Sequence, residues 1–222
     1  MIWKWDYAYE VLLQLLGVLH ITISATLVGF LVAMIWGLVI AFARRSRIKL
    51  ISWASLAFVE FVRTTPLLVQ LFFIFYVLPR FGLTLSPFVA GAIGLGLHYS
   101  TYLSEVYRAG INSVEKGQWE EATALNFSPW QKWTSVILPQ AIRPVLPVMG
   151  NYLIVMFKET PLLSAITLVE IVGLAQIIGS KTFRYLEPLT LVGILFLILS
   201  YISSVLVQRL ERRLDVENGR QG

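Results

Sequence analysis

Two short segments of this chain carry one pattern, a basic residue, any residue, then Thr-Pro-Leu-Leu. They are Arg63-Thr64-Thr65-Pro66-Leu67-Leu68 and Lys158-Glu159-Thr160-Pro161-Leu162-Leu163. Each lies in an apolar stretch, where ionisable groups are costly unless they face the protein interior, water or one another. Proline there removes a backbone hydrogen bond and kinks a helix, and threonine hydroxyls can bond the freed carbonyl. Breaks of this kind tend to line the path of a translocated solute. They also serve as plain packing kinks, here with an i, i+3 ion pair between Glu60 and Arg63. The chemistry on offer is recognition. Arg63, Gln70, Asn151 and Lys158 supply cations and amides that suit a carboxylate, while Glu159, Thr65, Tyr99 and Tyr102 supply an acid and hydroxyls that suit an ammonium.

Bond-making chemistry has no such support. The chain lacks H-E-x-x-H and G-x-S-x-G, so an intramembrane hydrolase has no constellation to use. It also lacks the G-x-x-x-x-G-K-[ST] phosphate loop. His20 and His98 are single imidazoles without a second ligand at metal spacing, and are read as packed and hydrogen-bonded, so no metal site is expected. The absence of cysteine excludes disulfides and thiolate metal sites.

The elements that must position these groups are set by hydropathy. The 222 residues are 57% hydrophobic and 14% charged, with a mean hydropathy of +0.72. A soluble domain usually carries about 25% charged residues. This composition and length predict a single all-α polytopic membrane domain over residues 1–222. Runs of about 20 apolar residues cross a bilayer, and five are read, at about 17–43, 50–78, 86–107, 145–166 and 188–207. Residues 1–10 show no basic n-region and no small-residue cleavage site, so no signal peptide is expected. Arg44, Arg45, Arg47, Lys49, Arg108, Lys116, Lys132, Arg143, Arg209, Arg212, Arg213 and Arg220 fall on one side of these spans; Lys4, Arg80, Lys181 and Arg184 fall on the other. The positive-inside rule then predicts an outside N-terminus, a cytoplasmic C-terminus and a cytoplasmic loop at about 108–143. Charge distributed at membrane boundaries, rather than on one basic face, predicts lipid and not nucleic acid as the surrounding partner.

That loop, residues 117–139, reads GQWEEATALNFSPWQKWTSVILP. Gln118 to Leu125 are good helix formers, with Trp119, Ala122 and Leu125 on one face. Asn126 suits the left-handed residue that ends a helix. Ser128, Pro129 and Gln131 form an N-cap, a first-turn proline and a capping box for a second helix. Trp130, Trp133 and Ile137 recur on that helix, and Leu138-Pro139 is expected to end it. An interfacial amphipathic helix would carry basic residues on its polar face. The first helix instead offers Glu120 and Glu121, so the expectation is a protein docking surface.

The loop resembles the EAA loop of ABC importer permeases, E-A-A, three residues, G, nine residues, I, any residue, L-P. Glu120, Ala122, Leu138 and Pro139 match; Glu121, Asn126 and Val136 replace the first Ala, the Gly and the Ile. VRTTPLLVQLFFIFY from Val62 resembles the R-G-T-P-L-L-V-Q segment of the polar amino-acid permeases. Glu105, Arg108, Gly110, Ile111 and Ser113 resemble their E-x-x-R-x-G-I-x-S run. NYLIVMFKETPLLSAI from Asn151 is similar to their N-x-x-I-x-x-x-K-[DE]-[ST]-[SP]-L signature.

The resemblance implies the transmembrane domain of a type I importer in the bacterial cytoplasmic (inner) membrane. Such a permease pairs with a second one, identical or homologous, and docks a dimer of ABC ATPase subunits. An extracytoplasmic binding protein delivers the solute. ATP and Mg then belong to the ATPase, and this chain holds no cofactor and is no enzyme. Gly117, Glu120, Glu121, Ala122, Asn126, Leu138 and Pro139 become the ATPase-coupling residues. The cargo implied is a polar amino acid or related zwitterion, with a lean toward ectoine or hydroxyectoine from the Trp-rich N-terminus (IWKWDYAYEVL). The alternative is a secondary transporter or channel needing no ATPase.

Overall fold

Small residues recur at every fourth position of the first helix, at Ala25, Gly29, Ala33, Gly37 and Ala41, and all five are buried. The computed structural model describes residues 2–218; Arg220, counted above among the inside-facing basic residues, lies outside them. Helix α1 runs Trp5–Arg44. Its small-residue stripe meets α4, Pro87–Asn112, whose Ala92, Gly96, Ser100 and Ser104 have the same spacing and are also buried. A Cβ on Gly29 would lie 3.2 Å from Leu95 Cβ, and one on Gly96 would lie 2.4 Å from Val32 Cγ1. Lipid provides no hydrophobic drive between helices, so such close approach supplies the attraction through van der Waals contact. Ser100, Thr101 and Ser104 turn their hydroxyls onto carbonyls of their own helix, at 2.6, 2.7 and 2.6 Å, and keep the seam free of unmet donors.

The expected second span is two helices rather than one kinked one. α2 (Lys49–Thr64) and α3 (Leu67–Phe72) meet at a 104° bend. The cause is Pro66, whose ring bars the preceding residue from helical geometry; Thr65 sits at φ −97, ψ 133. α3 continues through a π-turn, Phe73–Val77, and a 3-10 turn, Leu78–Phe81, that closes on Gly82 at φ 84.

The expectation that Leu138-Pro139 ends the loop's second helix is overturned. α5 (Lys116–Ala124) is followed by the single turn α6 (Pro129–Gln131), a π-turn at Lys132–Ile137, and α7 (Leu138–Glu159) in continuous succession. Proline stops an α-helix because it lacks an N–H for the carbonyl four residues back. The wider π-turn shifts the hydrogen-bond register just ahead of Pro139, so the chain passes through it. α7 also carries Pro144 and Pro147 before it tightens into the 3-10 segment Thr160–Ile166. α8 (Ile171–Thr182) follows at a 49° bend. The fully buried Glu170 caps it, its carboxylate accepting the Val172 and Gly173 N–H groups at 2.9 and 2.7 Å. α9 runs Leu186–Asn218.

By length and composition, Trp5–Arg44 and Leu186–Leu214 can each cross a bilayer alone. The two bent pairs, Lys49–Thr64 with Leu67–Phe81 and Pro129–Ile166 with Ile171–Thr182, can each supply one more span. α4 is not in that group, although its 26 residues reach about 39 Å. Its glycines, hydroxyls, tyrosines and His98 suit a helix surrounded by protein rather than lipid. The core lies there, where Leu95, Tyr99 and Leu103 pack with Leu71 of α3, Met149 and Met156 of α7, and Leu163.

Candidate functional site

The break at Pro66 is held by a side chain from the next helix. Pro66 has no N–H to offer the Val62 carbonyl; Gln70 Nε2 donates to that carbonyl at 2.7 Å and to Thr65 O at 3.0 Å. Thr65 Oγ1 donates to Phe61 O, and Thr64 Oγ1 to Glu60 O at 2.7 Å. Gln70 Oε1 in turn lies 3.2 Å from Nδ1 of His98 on α4. Thr65 and Gln70 therefore spend their polar atoms on the break.

Beside this joint stands an aromatic cluster. The rings of Tyr99, Tyr102 and Tyr152 form a near-equilateral triangle with centroids 5.8 to 6.1 Å apart. His98 packs against Tyr99 and Tyr102 at 5.3 and 5.5 Å. Arg63 lies over the Tyr102 ring at 4.6 Å and donates from Nη2 to Thr101 O at 2.6 Å. The Tyr99 hydroxyl faces the Glu159 carboxylate. Two polar atoms of the cluster, Arg63 Nε and Glu159 Oε2, are buried without a hydrogen-bond partner among the described residues. The cluster thus combines one unmet donor and one unmet acceptor with tyrosine faces, which favour a cation.

The structure gathers Arg63, Gln70, Tyr99, Tyr102 and Glu159, and sets Asn151 and Lys158 apart. Both of these are exposed. They sit seven residues apart on one face of α7, whereas Tyr152 and Glu159 share the face that carries Met149 and Met156 inward. Tyr152 and His98 complete the cluster. The alternation of Val145, Met149, Tyr152, Met156 and Glu159 along α7 is the helical period that marks Tyr152 as inward-facing.

At the other end of the helices the EAA-like corner has the anticipated backbone. Asn126 adopts φ 54. Asn126 N–H bonds Thr123 O at 3.0 Å and Phe127 N–H bonds Ala122 O at 3.1 Å, which is a Schellman closure. The Ser128–Gln131 capping box is closed in both directions. Trp119 and Trp133 meet edge to face at 5.4 Å, over a small core of Val114, Ile137 and Ala141. Gln140 Nε2 donates to Gln118 Oε1 at 2.9 Å and fixes α5 to α7. Ala122 is buried, while Gly117, Glu120, Glu121, Asn126, Leu138 and Pro139 are exposed. Glu121 accepts from Gln118 Nε2 at 3.3 Å. Two expected contacts do not form: Leu125 is 67% and Trp130 77% exposed. The helix ends before Leu125, and the π-turn rotates Trp130 out of the Trp133–Ile137 face. Above this corner Glu105 of α4 pairs with Arg44 of α1 and with Arg108 at 2.9 Å, fastening the ends of the two helices.

An all-helical membrane domain with broken spans, a polar cluster inside and a capped helix–corner–helix at one end is a transport subunit, and its sequence places it among known ones. The chain belongs to the family of binding-protein-dependent transport system inner membrane components, matched over residues 11–216. It is an amino-acid ABC transporter permease with the type I importer permease fold, a multi-pass protein of the inner membrane whose ATPase is a separate subunit. It is 46% identical to "Probable amino-acid ABC transporter permease protein y4tG" of Sinorhizobium fredii, across 91% of this chain and 87% of that one. It is 37% identical to "L-cystine transport system permease protein TcyB" of Bacillus subtilis, across 94% and 92%. A chain from a crystal structure of an amino acid ABC transporter with histidines superposes with a TM-score of 0.89 at 34% identity, across 96% of this chain and 100% of that one. Family membership also removes the ATP-independent channel as an alternative, since these permeases work with an ATPase and a binding protein.

Proposed function

We propose that the cluster of Arg63, Tyr99, Tyr102, Tyr152 and Glu159 is a way station for a polar amino acid or related zwitterion. The observation that carries this is the pair of buried, unpartnered atoms, Arg63 Nε and Glu159 Oε2. A solute carboxylate satisfies the first, and an ammonium seated over the tyrosine faces satisfies the second. The relative named for L-cystine supports the amino-acid class over ectoine. The N-terminus behind the ectoine expectation is engaged elsewhere, with Ile2 O accepting from Arg184 and Lys4 N–H donating to Glu187. Asn151 and Lys158, on the exposed face of α7, belong to a surface covered by the second permease subunit, identical or homologous.

In this reading the chain crosses the membrane five times, with its N-terminus outside and C-terminus inside. The loop at 108–143 is cytoplasmic and docks a dimeric ATPase that holds ATP and Mg. Glu120 and Glu121 face that partner, and the corner at Asn126 sets the angle between α5 and α6. The rigid corner transmits the partner's movement to α7, and so to Tyr152 and Glu159.

Uptake of labelled polar amino acids into proteoliposomes, with binding protein and ATPase supplied, tests the site. Arg63→Gln and Glu159→Gln should each lower uptake about tenfold or more, the cost of losing a charged hydrogen-bond partner, while the ATPase still copurifies. Normal uptake in both variants refutes the way station. Glu120→Ala should weaken ATPase copurification without altering the folded permease; undiminished copurification and uptake refute the docking role.

A further inference from the structure

An apolar groove of about 740 Å³ runs along the outside of the protein between α1 and the segment from α6 to α7. Met34, Leu38 and Phe42 form one wall, and Trp130, Ile142 and Met149 form the other. Met34 to Phe42 covers roughly 12 Å of helix, most of the ~15 Å half-thickness of a bilayer core. The mouth is different in character. Trp130 lies there 77% exposed, the placement typical of an indole at the membrane–water boundary. Phe42 and Ile111 line the groove, and the exposed Arg45 donates its backbone N–H to Phe42 O at 3.0 Å and its Nη1 to Oδ1 of Asn112, the residue after Ile111, at 3.0 Å. Lys132 follows Trp130 closely and donates to Thr123 Oγ1 at 2.6 Å.

We propose that this groove holds one acyl chain of an anionic phospholipid, with its phosphate on Arg45. A slot of leaflet depth, apolar along its length and basic only at its mouth, matches a lipid in length and in charge. Arginine presents several donors in a planar fork suited to phosphate oxygens, and a single bond to Asn112 leaves most of them available. The occupant touches α1 and the coupling segment at once, so the leaflet becomes a third contact of the loop beside α4 and the ATPase. The assignment to the inner leaflet rests on the cytoplasmic placement proposed for the loop; lipid occupancy itself does not.

Native mass spectrometry of the purified permease–ATPase complex, offered phosphatidylglycerol and phosphatidylcholine in equal amounts, reads occupancy without transport. Failure here therefore leaves the solute site untouched. The expected result is one phosphatidylglycerol retained per permease chain, with about tenfold preference over phosphatidylcholine, whose trimethylammonium offsets the phosphate charge that Arg45 meets. Arg45→Gln should abolish the preference. Leu38→Trp and Ile142→Trp, at positions 42% and 43% exposed, should each fill the slot and lower retention of both lipids. Full preference in Arg45→Gln, or unchanged retention in both tryptophan variants, overturns the proposal. The natural chain has no cysteine, so Leu38→Cys and Ile142→Cys give clean single sites. Efficient disulfide cross-linking between copies at either would mean that a second permease covers the groove, which also overturns it.

Discussion

Gln70 Nε2 donates at 2.7 Å to the Val62 carbonyl, the acceptor that Pro66 leaves without a donor. The side chain replaces the backbone hydrogen bond that the break removes, and its own carbonyl oxygen then reaches His98. One residue thus closes the end of α2, anchors α3 and ties both to α4.

Gln70→Leu should therefore destabilise the permease more than an ordinary surface change. It strands the Thr65 carbonyl and leaves the Val62 carbonyl only the Thr65 hydroxyl at 3.4 Å, a loss of about 1–3 kcal/mol per buried unmet group. Thermal unfolding of the detergent-solubilised protein should show a midpoint several degrees lower. A midpoint within error of wild type would mean that lipid or water serves those carbonyls equally well.

Asn126 provides a sharper test at the corner. At φ 54 glycine fits without strain, so Asn126→Gly should keep coupled uptake near wild type. A β-branched residue resists this conformation, and left-handed geometry costs roughly 1–2 kcal/mol even for ordinary residues. Asn126→Val should lower uptake and substrate-stimulated ATP hydrolysis together. Full coupling with valine would show that the corner angle does not matter.

The corner was legible in the sequence because its determinants are local. Asn126, Ser128 and Gln131 specify their own backbone within one turn. Pro139 misled for the same reason: read alone it stops a helix, and only the preceding π-turn, which no residue type announces, lets the chain continue. The site was half visible. Arg63, Gln70, Tyr99, Tyr102 and Glu159 are conspicuous as polar groups in apolar spans. Separating them from Asn151 and Lys158 required knowing which face of α7 points inward. Hydropathy finds the long helices α1 and α9 directly, whereas the interior helix α4 and the 104° break between α2 and α3 depart from lipid-facing rules.

Gly117 allows position and packing to be separated. It lies within α5 with nothing within 4 Å of an added Cβ. Gly117→Ala should stabilise the helix by up to about 1 kcal/mol and leave the permease fold intact. Weaker ATPase copurification in this variant would place residue 117 inside the docking contact. Unchanged affinity would move that contact onto Glu120 and Glu121.

Gly96 is the counterpart inside the membrane. A Cβ there would fall 2.4 Å from Val32 Cγ1 and 3.0 Å from Gly29 O. Gly96→Ala should cost about 1–3 kcal/mol by overpacking, seen as lower yield and lower thermal stability. Gly193→Ala, with nothing within 4 Å, is the matched control. Equal stability of the two variants would show that the seam yields.

The seam between α1 and α4 has a mechanical meaning. Two helices that meet through glycine and alanine, with Leu95, Leu103 and Val32 fitted against those small residues, are held at close range, and Glu105 joins their ends to Arg44. Close packing and the ion pair thus couple the movement of one helix to that of the other. The helical backbone is interrupted instead near proline, by the 104° bend at Thr65–Pro66 and by the π-turn ahead of Pro139. The cluster draws Tyr99 and Tyr102 from α4, Arg63 from α2, which ends ahead of Pro66, and Tyr152 and Glu159 from α7, so a rotation at either interruption alters its shape.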